Sequence, residues 1–414
     1  MGDILYLAHR VPFPPNRGDT IRSAHVLRKL ATLAPVHVGC FADQGTSAAG
    51  IAELRDLAAS DCIVRRRTPL ALAGLRSLVA GIPVSLAAFR SSQLARWVHE
   101  TIARYDIGAI VVFSGQMGQY VPPDFDGRLV VDLCDVDSAK FESYAAGAGL
   151  IGLVHAREAR LLACEEQRLA TRADATVLIS EPEADLLRER LDDPGKARIE
   201  VIGNGIDTAI FDPALVKPHP DIAARPGPQF IFTGQMDYPP NVEAAIWTAR
   251  RLMPAIRAAF PDAEFHIVGR EPTRAVRALS EAAGVEVWGE VPDMRPFLAA
   301  ATCVLAPLSL ARGVQNKVLE AMAMARPVLL SPGAATGIAA RDGQHWLVSE
   351  LDVAAMAKRL ATLLEDSERA RVIGAAARQF VLDRYGWSAM LTPLERLVGL
   401  RAGAPTASKV RHAA

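Results

Sequence analysis

QFIFTGQMDYPPNVEAAIWTARRLMPAI, residues 229–256, is the stretch on which the architecture turns. It begins with a short apolar run, passes through a glycine loop, and continues as an amphipathic segment from Pro-Pro-Asn (239–241) onward. Proline suits a helix start, where its missing N–H would be unpaired anyway. A second apolar run, EFHIVG (264–269), follows. Near the other end DILYLAHRVPFPPNRGDTIRSAHVLRKL (3–30) repeats the order, again with Pro-Pro-Asn (14–16), and leads into VHVGCF (36–41). Strand, helix, strand, written twice, marks two separate α/β units.

The remaining apolar runs fit the same plan. IGAIVVF (107–113), RLVVDLC (128–134), ATVLIS (175–180), RIEVIG (198–203), VEVWG (285–289), TCVLAPL (302–308) and RPVLLS (326–331) are short and nearly continuous. Buried parallel strands read that way. The expectation is an α/β protein of two doubly wound, Rossmann-like domains facing each other across a cleft, with ligands at the carboxyl ends of the strands. We place the first domain at 1–206 and the second at 207–384, with a break in the Pro-rich PALVKPHPDIAARPGP (213–228). Residues 401–414, RAGAPTASKVRHAA, read as a flexible basic tail.

Composition narrows the function. The chain has 414 residues, 50% hydrophobic and 22% charged, with Lys+Arg 46 against Asp+Glu 46. That length favours two domains. Zero net charge argues against bulk capture of nucleic acid. Five cysteines, an odd number with no CxxC, read as reduced thiols of a cytoplasmic protein. The N-terminus MGDILYLAHRVPF is too short and polar for a signal peptide and reads as a first strand. PLALAGLRSLVAGIPVSLAAF (69–89) is apolar, but Arg76, two glycines and Pro83 argue against a membrane span. It suits either a packed hairpin of helices or a patch that rests on an anionic membrane, with Arg65, Arg66 and Arg67 before it.

ARGVQNKVLEAMAMARPVL (311–329) carries the sharpest chemical signal. Its centre is built of strong helix formers and has almost no polar face, yet Glu320 lies inside it. A buried carboxylate is costly unless paired. Gly313 permits close backbone approach, the helix N-terminus attracts anions, and Arg312 and Lys317 add charge. A diphosphate fits there, and Glu320, one turn further, can accept from the two hydroxyls of a ribose. Lys317 and Glu320 also have the i, i+3 spacing of a simple ion pair. In the other half, Asn16, Arg17, Gly18 and Asp19 form a loop that opens a helix and offers charge to a ligand. NGID (204–207) reads as a structural Asn-Gly turn. Asp132, Asp135 and Asp137 suit a metal or, for the last two, a base, but no second acidic cluster accompanies them. No Walker loop, GxGxxG or Ser-His-Asp signature is present.

These segments resemble family 4 retaining glycosyltransferases of the GT-B fold. VIGNGIDTAIFDP (201–213) resembles their VIPNGVDxxxFxP segment, and VLEAMAMARPVLLS (318–331) their LEAMAxGxPVV helix and strand. FTGQMDYPPNVEAA (232–245) and FHIVGREP (265–272) occur in the family's order. AHRVPFPPNRGDTIRS (8–23), VVDLCDVDSAK (130–140) and ARGVQNKVLEAMAMARPV (311–328) are most similar to sugar transferases of bacterial exopolysaccharide and PEP-CTERM/exosortase systems.

The resemblance implies a nucleotide-sugar cosubstrate on the second domain and a glycan or polyprenyl-linked acceptor on the first. It also implies no required metal; zero net charge argues against nucleic acid, and residues 65–89 point to a lipid-linked acceptor and contact with the inner face of the plasma membrane. Glu320 matches the ribose-binding glutamate. Gly313, Val314, Gln315 and Asn316 match the loop at sugar and phosphate, and Gly289 and Val291 lie in the turn beside the base. Gly234 and Gln235 match the phosphate loop. Three positions depart from the family: Arg312 replaces the first of two glutamates, Gln235 replaces an arginine, and the histidine expected in VVDLCD is absent. Arg312, Lys317 and Asp135 are the catalytic candidates. Two other activities suit the same residues: a nucleotide-sugar epimerase or hydrolase, and a non-catalytic nucleotide-binding scaffold. The family pattern also sends YGWSAMLTPLERLVGL (385–400) back to the first domain.

Overall fold

The computed structural model describes residues 2–66, 69–145, 150–309 and 314–399. The chain divides into two compact units, one running to Asn204 and resuming at Met390, the other Gly205–Ala389. The first contains a seven-stranded parallel sheet: β1 (Asp3–Ala8), β2 (Val36–Ala42), β3 (Ser60–Arg65), β4 (Ile107–Phe113), β5 (Arg128–Cys134), β6 (Ala175–Leu178) and β7 (Ile199–Val201). Their spatial order is β3-β2-β1-β4-β5-β6-β7. The second contains β8 (Gln229–Thr233), β9 (Glu264–Val268), β10 (Val285–Gly289), β11 (Cys303–Ala306), β12 (Val328–Leu330) and β13 (Leu347–Val348), ordered β10-β9-β8-β11-β12-β13. In each sheet the order reverses beside the unit's first strand, at β1/β4 and at β8/β11. Such a reversal opens a crevice at the strands' carboxyl ends.

Each sheet has its own core. Leu5, Leu7, Val112 and Val131 centre the first, and Phe230, Phe232, Phe265 and Ile267 the second. The Pro-rich stretch is not a free linker: it contains the short helix Pro220–Ala223, and Ile222 is fully buried in the second core. NGID is not a turn with a left-handed glycine. A Cβ at Gly205 would meet the backbone of Trp387, so close approach selects the glycine. Asn204 accepts from Arg22 (3.1 Å), whose Nε lies 2.9 Å from Asp132 in a buried ion pair. Asp132 is therefore committed to joining β5 to the helix Gly18–Ala31 that carries Arg22. At the chain's end Lys29 pairs with Glu395 (2.5 Å) and Arg396 with Glu200 (3.1 Å), tying the segment after Met390 to the first unit. Arg65 ends an edge strand and is not in a loop; Arg67 and the tail 401–414 lie outside the described residues. The five cysteines are free. No helix among the described residues is long and apolar enough to cross a membrane.

The repeated Pro-Pro-Asn does different work in the two units. Pro239 opens the helix Pro239–Trp247, with Asn241 in its first turn. Pro14 and Pro15 precede a helix that begins only at Gly18, with Arg17 as its N-cap.

Candidate functional site

The carboxyl ends of β8 and β9 enclose, with the helix Asn316–Ala323, a cavity of about 790 Å³ in the second unit. That helix buries Val318, Leu319, Ala321 and Met322 against the sheet. Its remaining strip carries Lys317 and Glu320 to the cavity wall. The helix ends at Met324, and Ala325 takes a left-handed conformation (φ 54°).

Lys317 and Glu320 do not form the i, i+3 ion pair that their spacing allows. The Lys317 ammonium instead donates to Asn241 Oδ1 (2.5 Å) and stands 4.7 Å over the Phe232 ring. Gly234 has φ 154°, a conformation that side chains rarely adopt, and a Cβ there would also come within 2.8 Å of Asn241 Nδ2 and 3.0 Å of that ammonium. Burial brings the Lys317 amine down to about 8, only partly opposed by Glu320. Glu320 is mostly buried, and among the described residues its carboxylate has no hydrogen bond or ion pair. Burial raises its pKa, and Lys317 works against that rise. A desolvated, unpartnered carboxylate on a cavity wall is arranged to accept from something that enters.

The cavity also gathers Gly234, Gln235, Val291, Val314 and Asn316. Gln235 accepts from Arg270 (2.9 Å), the residue after Gly269 at the end of β9. Sequence reasoning passed over Arg270 and Asn241, although both lie in motifs it quoted. Arg270 places a guanidinium next to Gln235, the position where an arginine was missed. Gln315 is the N-cap of the helix, and Gly289 (φ 71°) turns the chain after β10 without lining the cavity. Arg312 and Gly313 lie outside the described residues.

In the first unit Asn16 and Arg17 line a separate, small cavity of about 180 Å³ with Arg10, Asp43 and Thr46. Asp19 is not free for a ligand: it accepts from Arg10 (3.1 Å) and contacts His9 Nε2 (3.2 Å). The His9 contact is the main cause that holds its carboxyl down at about 2. Gly18 opens the helix without a positive φ. Asp135 stands just beyond β5, its pKa raised first by burial and then by Glu183 and Asp137. Among the described residues no group of three or more His, Cys, Asp or Glu side chains is placed to hold a metal ion.

The family-model match falls within the unit that holds the 790 Å³ cavity. Residues 227–366 match the family model described as Glycosyl transferases group 1. The chain is 27% identical over 246 residues to the alpha-maltose-1-phosphate synthase of Mycolicibacterium smegmatis, covering 54% of this chain and 62% of that protein. It is 31% identical over 220 residues to the phosphatidyl-myo-inositol mannosyltransferase of the same organism, covering 51% and 55%. The matches thus span somewhat less than two thirds of these relatives. Among solved structures, Anabaena Alr3699/HepE in complex with UDP and glucose superposes with a TM-score of 0.55 at 15% identity, covering 97% of this chain and 100% of that one. Residues 227–366, which contain nearly all of the cavity's wall, thus match a glycosyltransferase family model, and the chain folds as two Rossmann-like parallel-sheet units like those of GT-B glycosyltransferases.

Proposed function

We propose that the protein is a retaining glycosyltransferase that takes a sugar from a nucleoside diphosphate-sugar and passes it to a glycan or polyprenyl-linked acceptor. Its setting is bacterial exopolysaccharide assembly at the inner face of the plasma membrane. One observation carries the reading: the mostly buried carboxylate of Glu320, unpartnered among the described residues, shares a cavity with the ammonium of Lys317. In this reading Glu320 accepts hydrogen bonds from the ribose hydroxyls. Lys317 and Arg270 meet the diphosphate.

Transfer breaks the bond between the anomeric carbon and the phosphate oxygen. It forms the bond from that carbon to the acceptor oxygen, and the acceptor's proton goes to the departing phosphate. Fixed cations aimed at the developing charge lower the barrier because they need no reorganisation during the step. They also make a metal unnecessary in this scheme.

The test is a thermal-shift series with UDP, GDP and ADP on the wild type and on Glu320→Ala. A ligand that binds only the folded state raises its stability by mass action. HepE was solved with UDP, which makes UDP the first nucleotide to try. One nucleotide should stabilise the wild type and lose most of its effect on Glu320→Ala. If no nucleotide shifts the wild type, the donor reading is wrong.

A further inference from the structure

The helix Leu70–Ala80 in the first unit is built inside out. Its inner face is Ala73 and Ser77, both fully buried. Its outer face carries Leu72, Leu75, Leu78 and Val79, all exposed, with Val79 at 84%. The i, i+3, i+7 spacing of 72, 75 and 79 makes one apolar stripe, the pattern that normally faces a core. The helix Leu150–Arg172 begins in the same manner, with Ile151 (71%), Leu153 and Val154 exposed.

Part-buried polar contacts fasten the second helix to the first and to the short helix Val84–Ala88 that follows it. Arg157 donates to Ser77 Oγ (2.8 Å) and to the Ser77 carbonyl (2.9 Å). Glu158 accepts from the amides of Val84 (2.7 Å) and Ser85 (3.0 Å), in the short helix that follows. The turn before Arg157, which holds Leu153 and Val154, is thereby set beside the first helix. Nearly half of the large hydrophobic side chains exposed among the described residues fall in these two short segments. A contiguous exposed apolar patch marks an interaction site.

The charges around the patch select its partner. Arg76, Arg90 and Arg160 are exposed and have no ion-pair partner among the described residues. Segments 69–90 and 150–164 contain a single acid, Glu158, and it is buried. A two-fold contact between copies through this face would set arginines against arginines with no exposed acid to pair them. Anionic lipid head groups supply the missing charge, and acyl chains the apolar medium.

We propose that the outer face of the helix Leu70–Ala80 and the first turns of the helix Leu150–Arg172 dock on an anionic bilayer surface. This deepens the membrane setting of the function proposed above. It can fail separately, because vesicle binding is read without any sugar transfer.

The test is co-sedimentation of the full chain with vesicles of phosphatidylcholine alone and of equimolar phosphatidylcholine and phosphatidylglycerol. The wild type should pellet with the anionic vesicles and hardly with the neutral ones. Leu75→Ser/Leu78→Ser/Val79→Ser should lower the bound-to-free ratio roughly tenfold or more. Arg76→Gln/Arg90→Gln/Arg160→Gln should lower it about fivefold per arginine. The nucleotide-induced thermal shift should be the same in all three proteins. If the serine variant melts abnormally, the arginine variant alone decides. Equal pelleting of wild type and the arginine variant would overturn the proposal. So would failure of the wild type to bind anionic vesicles, or a dimer that the serine changes dissolve without any vesicle binding.

Discussion

Replacing Lys317 with methionine removes one charge and keeps most of the side chain's length. The ammonium is fixed by Asn241 at 2.5 Å and lies over Phe232, so the substitution removes a cation from a defined point on the cavity wall. A hydrogen bond to a charged group contributes about 1.5–3 kcal/mol. Lys317→Met should therefore weaken nucleoside diphosphate binding roughly 10- to 150-fold at pH 7. Binding of the uncharged nucleoside should stay within about twofold, since the loss falls on the phosphates alone.

The same amine sets two pH effects. Its pKa is about 8 in the folded protein, below the ordinary 10.5. Bound diphosphate holds the proton on, so above pH 8 binding must first restore it. Wild-type affinity should then fall by up to about tenfold per pH unit, and that slope should vanish in Lys317→Met. Stability runs the other way. Between pH 8 and 10.5 the unfolded chain binds more protons than the folded one, so wild-type stability rises with pH across that window. At pH 7 the buried charge costs roughly 3 kcal/mol. Losing the bond to Asn241 gives back about 1–2 kcal/mol, so the unliganded variant should be more stable by about 1–2 kcal/mol. Titration calorimetry at pH 7 and pH 9, with chemical denaturation of the free protein, reads all of this. A variant that binds the diphosphate as tightly as the wild type, or that keeps the pH slope, would refute the reasoning.

Gly234→Ala should push Lys317 and Asn241 aside, because its Cβ would lie 3.0 and 2.8 Å from them; calorimetry should record at least a roughly tenfold loss of diphosphate affinity. Ala325→Gly relieves a left-handed alanine at the end of the helix Asn316–Ala323 and should raise stability by about 0.5–1 kcal/mol, seen as a higher denaturation midpoint. Glu166 is buried against Ser138, and burial raises its pKa to about 7. The folded state therefore binds more protons than the unfolded one from the ordinary glutamate value of 4.5 up to about 7. Its stabilising contribution is full below that window and lost as pH rises through 7, a trend that denaturation of Glu166→Gln should show flattened.

The strands that carry the fold were the most legible part of the sequence. IGAIVVF and RLVVDLC are strands with the bounds read from their apolar runs, because central parallel strands are buried on both faces. The strands missed are the edges. β3, SDCIVR, is half polar because one side faces solvent, and β13 is only two residues long. Glu320 was legible for a physical reason: a carboxylate in an otherwise apolar helix has few explanations. Its neighbours were not. Asn241 looked like part of a repeated turn, and only the three-dimensional approach of Lys317 reveals it as the partner of a cation. Arg270 sits one strand away from the loop where a cation was expected, and strand order cannot be read from spacing. Asp19 looked available in a glycine loop, yet His9 and Arg10, just beyond β1, already occupy it. The arginine cluster before residue 69 drew attention to the first of two apolar surface helices. The second, Leu150–Arg172, gave no such sign because its large exposed hydrophobic residues occupy only its first turns.

The assignment of Glu320 to a ribose is tested most directly by deleting one hydroxyl. Calorimetry would compare the nucleoside diphosphate that binds best with its 2′-deoxy form, on wild type and on Glu320→Ala. A hydrogen bond to a charged acceptor contributes about 1.5–3 kcal/mol. The wild type should prefer the ribose form by roughly tenfold or more, and Glu320→Ala should bind both forms alike. Equal binding of both forms by the wild type, or an undiminished preference in Glu320→Ala, would place the ribose elsewhere and contradict the account.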